Sequence, residues 1–237
     1  MNNHCFHLRP RSAAGWLAAG TGVLAPGCGT YAGLAWHRFG RVKSTVPDEL
    51  LDRFIPEYDV VDRHQVRIAA PPETTLAVAA NIDLMKSPAI RWIFKAREFL
   101  MGSTPPPAQA TKPLIDHLTS IGWRILAQKP GQELVLGAAT QPWLADVVFR
   151  PLEPDEFAGF REPGYVKIAW TLRADPAGSG QSLFSIETRV QATEPLARRN
   201  FRRYWALVSA GIAMIRWISL RLTKTEAERV TLRAKAA

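Results

Sequence analysis

From Gly122 onward the hydrophobic period of the chain is two, and after Glu194-Pro195 it becomes helical. Trp123 to Gln128, Glu133 to Ala139, Asp146 to Leu152, Tyr165 to Ala174 and Ser182 to Ala192 read as successive strands, most of them separated by Gly or Pro turn chemistry. Connections this short join antiparallel neighbours, so the five segments read as a meander. Pro176-Ala177-Gly178-Ser179-Gly180 closes its last hairpin. The stripe Phe201, Trp205, Val208, Ile212, Ile215 and Leu222, with Ile218 beside it, then marks a helix of roughly 30 residues packed on the sheet. Arg216 interrupts its apolar stretch and argues against a membrane span there.

Ahead of the meander, Val60, His64, Val66 and Ile68 alternate with Arg63, Gln65 and Arg67, the pattern of a half-buried strand between Tyr58 and Ala70. Pro71-Pro72-Glu73 stops it and opens a helix through about Met85, proline being harmless in a first turn. A second helix follows Ser87-Pro88, with Ile90, Ile93, Phe94 and Phe99 near helical spacing. Residues 102–113, which include Pro105 to Pro107, read as a flexible loop, and Leu114 to Ile121 as a short helix. Arg41 to Pro56 reads as a connector holding a DELLDRF helix. The expected organisation is an N-terminal hydrophobic segment (1–45), one domain (46–225) and a basic tail (226–237), a length able to bury one sizeable core.

Ala13 to Trp36 carries no charge over 24 residues, enough helix to cross a hydrocarbon core of about 30 Å. Its six glycines and Pro26 make it a mediocre span, while Trp16, Tyr31 and Trp36 suit interfacial positions. A membrane anchor through 13–36 is the leading reading. A cleaved signal peptide following Arg9 and Arg11, a lipoprotein box at Leu24 to Cys28 and a disordered leader remain open. Arg9 and Arg11 before the run, against Arg38, Arg41 and Lys43 after it, tilt the following domain slightly towards the cytoplasm.

Net charge is +9. Arg198, Arg199, Arg202 and Arg203 open the long helix, where positive charge opposes the macrodipole and invites an anionic partner such as lipid headgroups. No recognition motif accompanies them, which argues against nucleic acid. The two cysteines, Cys5 and Cys28, both precede the domain. No phosphate-binding glycine loop, nucleophile elbow or metal-spaced His/Cys cluster occurs, so no catalytic residue, metal or cofactor is assigned. His64 falls on the apolar side of its strand, as a core histidine or as a polar pocket residue able to carry a proton. Phe184, Ile186, Thr188 and Val190 share one strand face, while Glu187 and Arg189 share the other, charged face as a structural ion pair.

The opening VVDRHQVRIAAPPETTLAVAANID and the closing GYVKIAWTLRADPAGSGQSLFSIETRVQATEPLARRNFRRYWALVSAGIAMIRW resemble the first strand and helix, and the last hairpin and helix, of the START-related (SRPBCC) superfamily. The resemblance covers about Tyr58 to Thr225. It implies an α+β helix-grip fold, a curved antiparallel sheet wrapped around a long C-terminal helix, here with an N-terminal hydrophobic helix added. It also implies an apolar cavity between sheet and helix for a hydrophobic or amphipathic, lipid-like molecule. Strand alternation and helix phase nominate His64, Val66, Ile168, Trp170, Ile186, Thr188, Trp205 and Ile212 as its lining. Binding without covalent chemistry is the leading expectation. The alternatives are a polyketide cyclase or aromatase-like enzyme, in which Thr188 or His64 assists proton transfer, and a regulatory or assembly module.

Overall fold

Branched and aromatic side chains at alternate positions favour a pleated, buried strand, and every segment with that pattern but one forms a full strand. The computed structural model describes residues 30–41, 46–104 and 112–236. Most of the uncharged N-terminal run and Pro105 to Pro107 of the 102–113 loop therefore lie outside the described residues. The helices are α1 (30–38), α2 (Glu49–Phe54), α3 (Pro72–Asn81), α4 (Pro88–Met101), α5 (Leu114–Ser120), α6 (Pro154–Gly159) and α7 (Pro195–Ala236). The strands are β1 (Val60–Ile68), β2 (Arg124–Lys129), β3 (Glu133–Thr140), β4 (Phe149–Arg150), β5 (Val166–Pro176) and β6 (Ser182–Ala192).

The exception is 146–152, of which only Phe149 and Arg150 pair, against Ala139 and Thr140. The start of that segment is engaged elsewhere: Ser103 and Thr104 bond to Ala145 and Asp146. Strand order is β1-β6-β5-β3-β2, every neighbouring pair antiparallel. β1 therefore leaves its sequence neighbours and adds to the far side of the final hairpin, whose turn Gly178 and Gly180 enter at positive φ. The result is a curved six-stranded sheet with the long helix lying on it, the helix-grip architecture.

Both faces of this sheet are buried. On the helix side, Ile68, Leu134, Leu136, Leu172, Phe184 and Ile186 form the main core with Leu76 of α3 and Leu220 of α7. On the other side, α2 and α6 deliver Leu51, Phe54 and Phe157 onto Val135, Ala139 and Ala169. Over β5 and β6 the charged face is thus covered and its charges are buried with it, while Gln65 and Arg67 of β1 stay exposed, as expected of a half-buried strand. Arg189 lies among Glu187 (2.8 Å), the Asp52 carboxylate of α2 and the Ile55 carbonyl (3.1 Å), with Tyr58 beneath its guanidinium. Arg63 reaches Glu187 from β1 at 2.8 Å.

Burial pushes Glu133 up to about 7, reinforced by the negative charge of Asp48. Asp48 is itself fully buried and caps α2 through the Leu51 amide. An acid whose folded pKa exceeds its ordinary value near 4.5 holds a proton that the unfolded chain has released. Its contribution is complete below about pH 4.5 and is lost as pH rises through 7. Replacing Glu133→Gln is expected to flatten this loss, gaining about 1–3 kcal/mol at pH 8 and little at pH 4.5, as read by urea unfolding at both pH values.

α7 departs from its expected phase. Its buried positions include Ala197, Phe201, Ser209, Ser219, Thr223, Ala227 and Thr231, while Trp205, Val208, Ile212 and Ile215 are only half-buried. Small side chains let the helix axis approach the sheet closely, and the large apolar ones splay to its flanks. The helix also continues through residues 226–236, the segment read as a basic tail, as far as Ala236. α7 is long and apolar enough to cross a bilayer by length and composition, a property it shares with core helices.

Candidate functional site

One transverse row of the sheet carries polar groups beneath α7. Leu136, Trp170, Thr188 and Asp62 are register partners across β3, β5, β6 and β1, about 4.8 Å apart from strand to strand. All four point towards the helix. Arg216 descends from α7 onto this row, donating to Thr188 Oγ1 at 2.8 Å with its guanidinium 4.7 Å from the Trp170 ring centroid. Asp62 Oδ1 in turn accepts from His64 Nε2 at 2.9 Å, the tautomer that places the imidazole proton on Nε2.

Desolvation lowers Arg216 to about 10, with Asp62 acting in the opposite direction. Arg216 remains a cation at neutral pH, held in a site that penalises its charge. Four buried polar atoms of this cluster have no partner among the described residues: Asp62 Oδ2, Trp170 Nε1, Ser209 Oγ and Arg216 Nε. Buried polar atoms are ordinarily satisfied, so four orphans beneath about two turns of α7 mark a place prepared for another polar group. Two of them, the indole and guanidinium N–H groups, are donors only.

A groove of about 570 Å³ opens beside this row. Tyr31, Leu34 and Phe39 form one wall, Val60 to Gln65 of the edge strand β1 another, and Trp205 and Ser209 of α7 the third. Asp62 and His64 belong to both groove and row. A second cleft, of about 460 Å³ between α3 and the end of α7, has no buried charge in its lining. No group of three or more metal-ligating side chains occurs among the described residues.

The eight lining residues expected from sequence occupy different surroundings. His64 and Trp205 line the groove, Trp205 stacked on Phe201 at 6.0 Å. Thr188 and Trp170 lie in the polar row. Ile186 is closed into the main core, with Val66 and Ile168 packed against it, and Ile212 is half-buried on α7. The space between the sheet and the C-terminal half of α7 is filled by side chains, including Trp123 edge-on to Trp170. The open volume lies towards the N-terminal half of α7.

Asp62, Ser209 and Arg216 were not among the expected site residues. Parity with Val60 and His64 already places Asp62 on the helix side, and its charge disguised that. Arg216 is the only charge between Arg203 and Arg221, a signal that reads equally as a break in an apolar run. The four-arginine cluster divides. Arg198 pairs with Asp59, and Arg202 lies 4.1 Å over Trp36 and donates to its carbonyl. Arg199 and Arg203 are exposed.

No protein-family model matches the chain and no curated protein sequence matches it. Solved structures similar to it include a hypothetical protein from Helicobacter pylori, 8% identical, with a TM-score of 0.38 over 78% of this chain and 99% of that one. A protein from Chromobacterium violaceum is 13% identical, with a TM-score of 0.30 over 71% and 97%. The Zhui aromatase/cyclase from a Streptomyces species is 13% identical, with a TM-score of 0.26 over 72% and 94%. Similarities at this level assign no function.

Proposed function

We propose that this protein binds an amphipathic small molecule beneath α7. Its apolar body would lie in the groove along Trp205, and its acceptor-bearing head would meet Arg216 and Trp170. The observation that carries this reading is the pair of orphaned donors, Arg216 Nε and Trp170 Nε1, buried beside an open groove. A carboxylate, enolate or carbonyl oxygen satisfies both and offsets the desolvated charge. Burial of the apolar body supplies the remaining affinity.

Thermal-shift and fluorescence titrations with single-chain amphiphiles of matched tail and varied head test this. Carboxylate and carbonyl heads are expected to bind and amine heads not to. Arg216→Met is expected to weaken carboxylate binding by about 10- to 100-fold, the worth of a charge-assisted hydrogen bond. Equal response to all heads, or no response to any, would sink the proposal.

A second reading draws on the His64–Asp62 pair at the mouth of the groove. A histidine oriented by a carboxylate can shuttle a proton for an enolisable carbonyl held at Arg216, chemistry of the cyclase or aromatase kind. Loss of solvent deuterium incorporation into a bound carbonyl compound in His64→Gln, with binding retained, would favour it over binding alone. A tether through residues 13–36, with the domain on the cytoplasmic side, completes the proposal. Release of the chain by alkaline carbonate would count against that tether.

A further inference from the structure

α4 is fixed to the body of the protein yet turns its aromatic side chains outward. Ile93 packs against Gly211, where a Cβ would come 3.0 Å from Ile93 Cγ2, and Arg97 reaches the Tyr204 hydroxyl at 3.4 Å. Rising numbers on α4 therefore meet falling numbers on α7, and the helices run antiparallel, side by side. Arg97 also donates to the carbonyls of Pro142 and Leu144, both at 3.3 Å. A helix tied at that many points has a settled orientation. Even so, Trp92 is 71%, Phe99 86% and Leu100 61% exposed.

The neighbouring face of α7 continues this surface. Leu207, Met214 and Trp217, seven and three residues apart, are all more than half exposed and share one helical face. Basic side chains sit among them. Arg203 and Arg221 lie on the same outward face, with the Arg221 guanidinium 4.6 Å from the Trp217 ring centroid. On α4, Arg91 is exposed and Lys95 Nζ lies 5.6 Å from the Trp92 ring centroid. Between Glu194 and Glu226 the chain carries seven basic residues and no acidic one.

We infer that the outer faces of α4 and α7 dock on an anionic lipid bilayer. Tryptophan, phenylalanine and leucine side chains enter the boundary between headgroups and acyl chains, and Arg91, Lys95, Arg203 and Arg221 meet the lipid phosphates and carboxylates. The charge pattern selects this occupant: a surface both apolar and anionic matches exposed aromatics interleaved with cations and free of acids along α7 as far as Thr225. The point of chain entry agrees with it. Trp36, the last residue of the uncharged run, lies against Arg202 near the start of α7, so that run joins the domain at the same helix. The inference stands independently of the ligand beneath α7.

The test uses the full-length chain with Cys5→Ser and Cys28→Ser. An environment-sensitive nitrobenzoxadiazole is attached at Phe99→Cys or, across the sheet on α6, at Asp155→Cys. Both proteins are reconstituted in phosphatidylcholine vesicles with and without phosphatidylserine. The expected result is a blue shift at the α4 position that requires phosphatidylserine, and none at the α6 position. Lys95→Gln and Arg221→Gln are each expected to lower the docked-to-undocked ratio about fivefold, with circular dichroism unchanged. An α4 label that stays solvated on anionic vesicles overturns the inference. So does a shift equal on both lipids, or one that grows with protein density without phosphatidylserine, which would assign the face to a second copy of the chain.

Discussion

Arg189→Met is expected to lower the free energy of unfolding by about 3–5 kcal/mol, measured by guanidinium denaturation. Arg189 is 1% exposed and Glu187 is fully buried, so the substitution strips the Glu187 carboxylate of one of its guanidinium partners in a region that excludes water. It also frees Asp52 and the Ile55 carbonyl, through which Arg189 holds α2 on the outer face of the sheet. The double variant Arg189→Met/Glu187→Gln is expected to recover only part of the loss, since Glu187 keeps Arg63 at 2.8 Å in the single variant and Arg63 loses that carboxylate in the double one. Asp52→Asn, at a half-exposed position, is expected to cost less than about 1 kcal/mol. If Arg189→Met and Asp52→Asn proved equal, the network would be a surface feature and the covering of this face by α2 would need another cause.

The second large effect is at Trp170. Truncation to alanine removes a ring that is 4% exposed, packed edge-on against Trp123 and lying under the Arg216 guanidinium. An expected loss of about 3–5 kcal/mol follows from transfer energy and the cavity left behind. Trp170→Phe keeps most of the volume and removes an indole N–H that has no partner. Its expected cost is below about 1.5 kcal/mol. The pair of variants separates packing from recognition. If the head of a ligand accepts from Trp170 Nε1, Trp170→Phe loses affinity while remaining nearly as stable as the parent. If Trp170 is packing alone, affinity follows stability and both change little.

The contrast between these two sites bears on what the chain reveals before it folds. Alternation along Ser182 to Ala192 separates Phe184, Ile186, Thr188 and Val190 from Ser185, Glu187 and Arg189, and the strand obeys it. Alternation does not say what lies above each face. Glu187 and Arg189 read as an ion pair, but its burial follows only when α2 and α6, two six-residue helices with no long-range signal in their own sequence, are placed over them. Likewise the 3.6-residue period identifies α7 but misplaces its contact face. The period aims the largest side chains at the sheet, and Phe201 does point there, whereas further along close approach of helix and sheet selects Ser209, Ser219 and Thr223. Phe99 shows the same limit on α4: helical spacing was legible, and its outward direction was not.

By itself the sequence determined the order of elements, the antiparallel sense of the closing strands through their short turns, and the basic character of α7, which carries no acid before Glu226. These are local properties, decided by side-chain period, proline and glycine chemistry, and composition. The tertiary structure alone decided that β1 pairs with β6, that Asp62 and Arg216 face each other across the helix–sheet seam, and that the open volume lies beside β1 rather than under the whole of α7. Each of these depends on groups separated by more than a hundred residues coming into register. The free energy of a buried charge is set by what those distant groups exclude or supply.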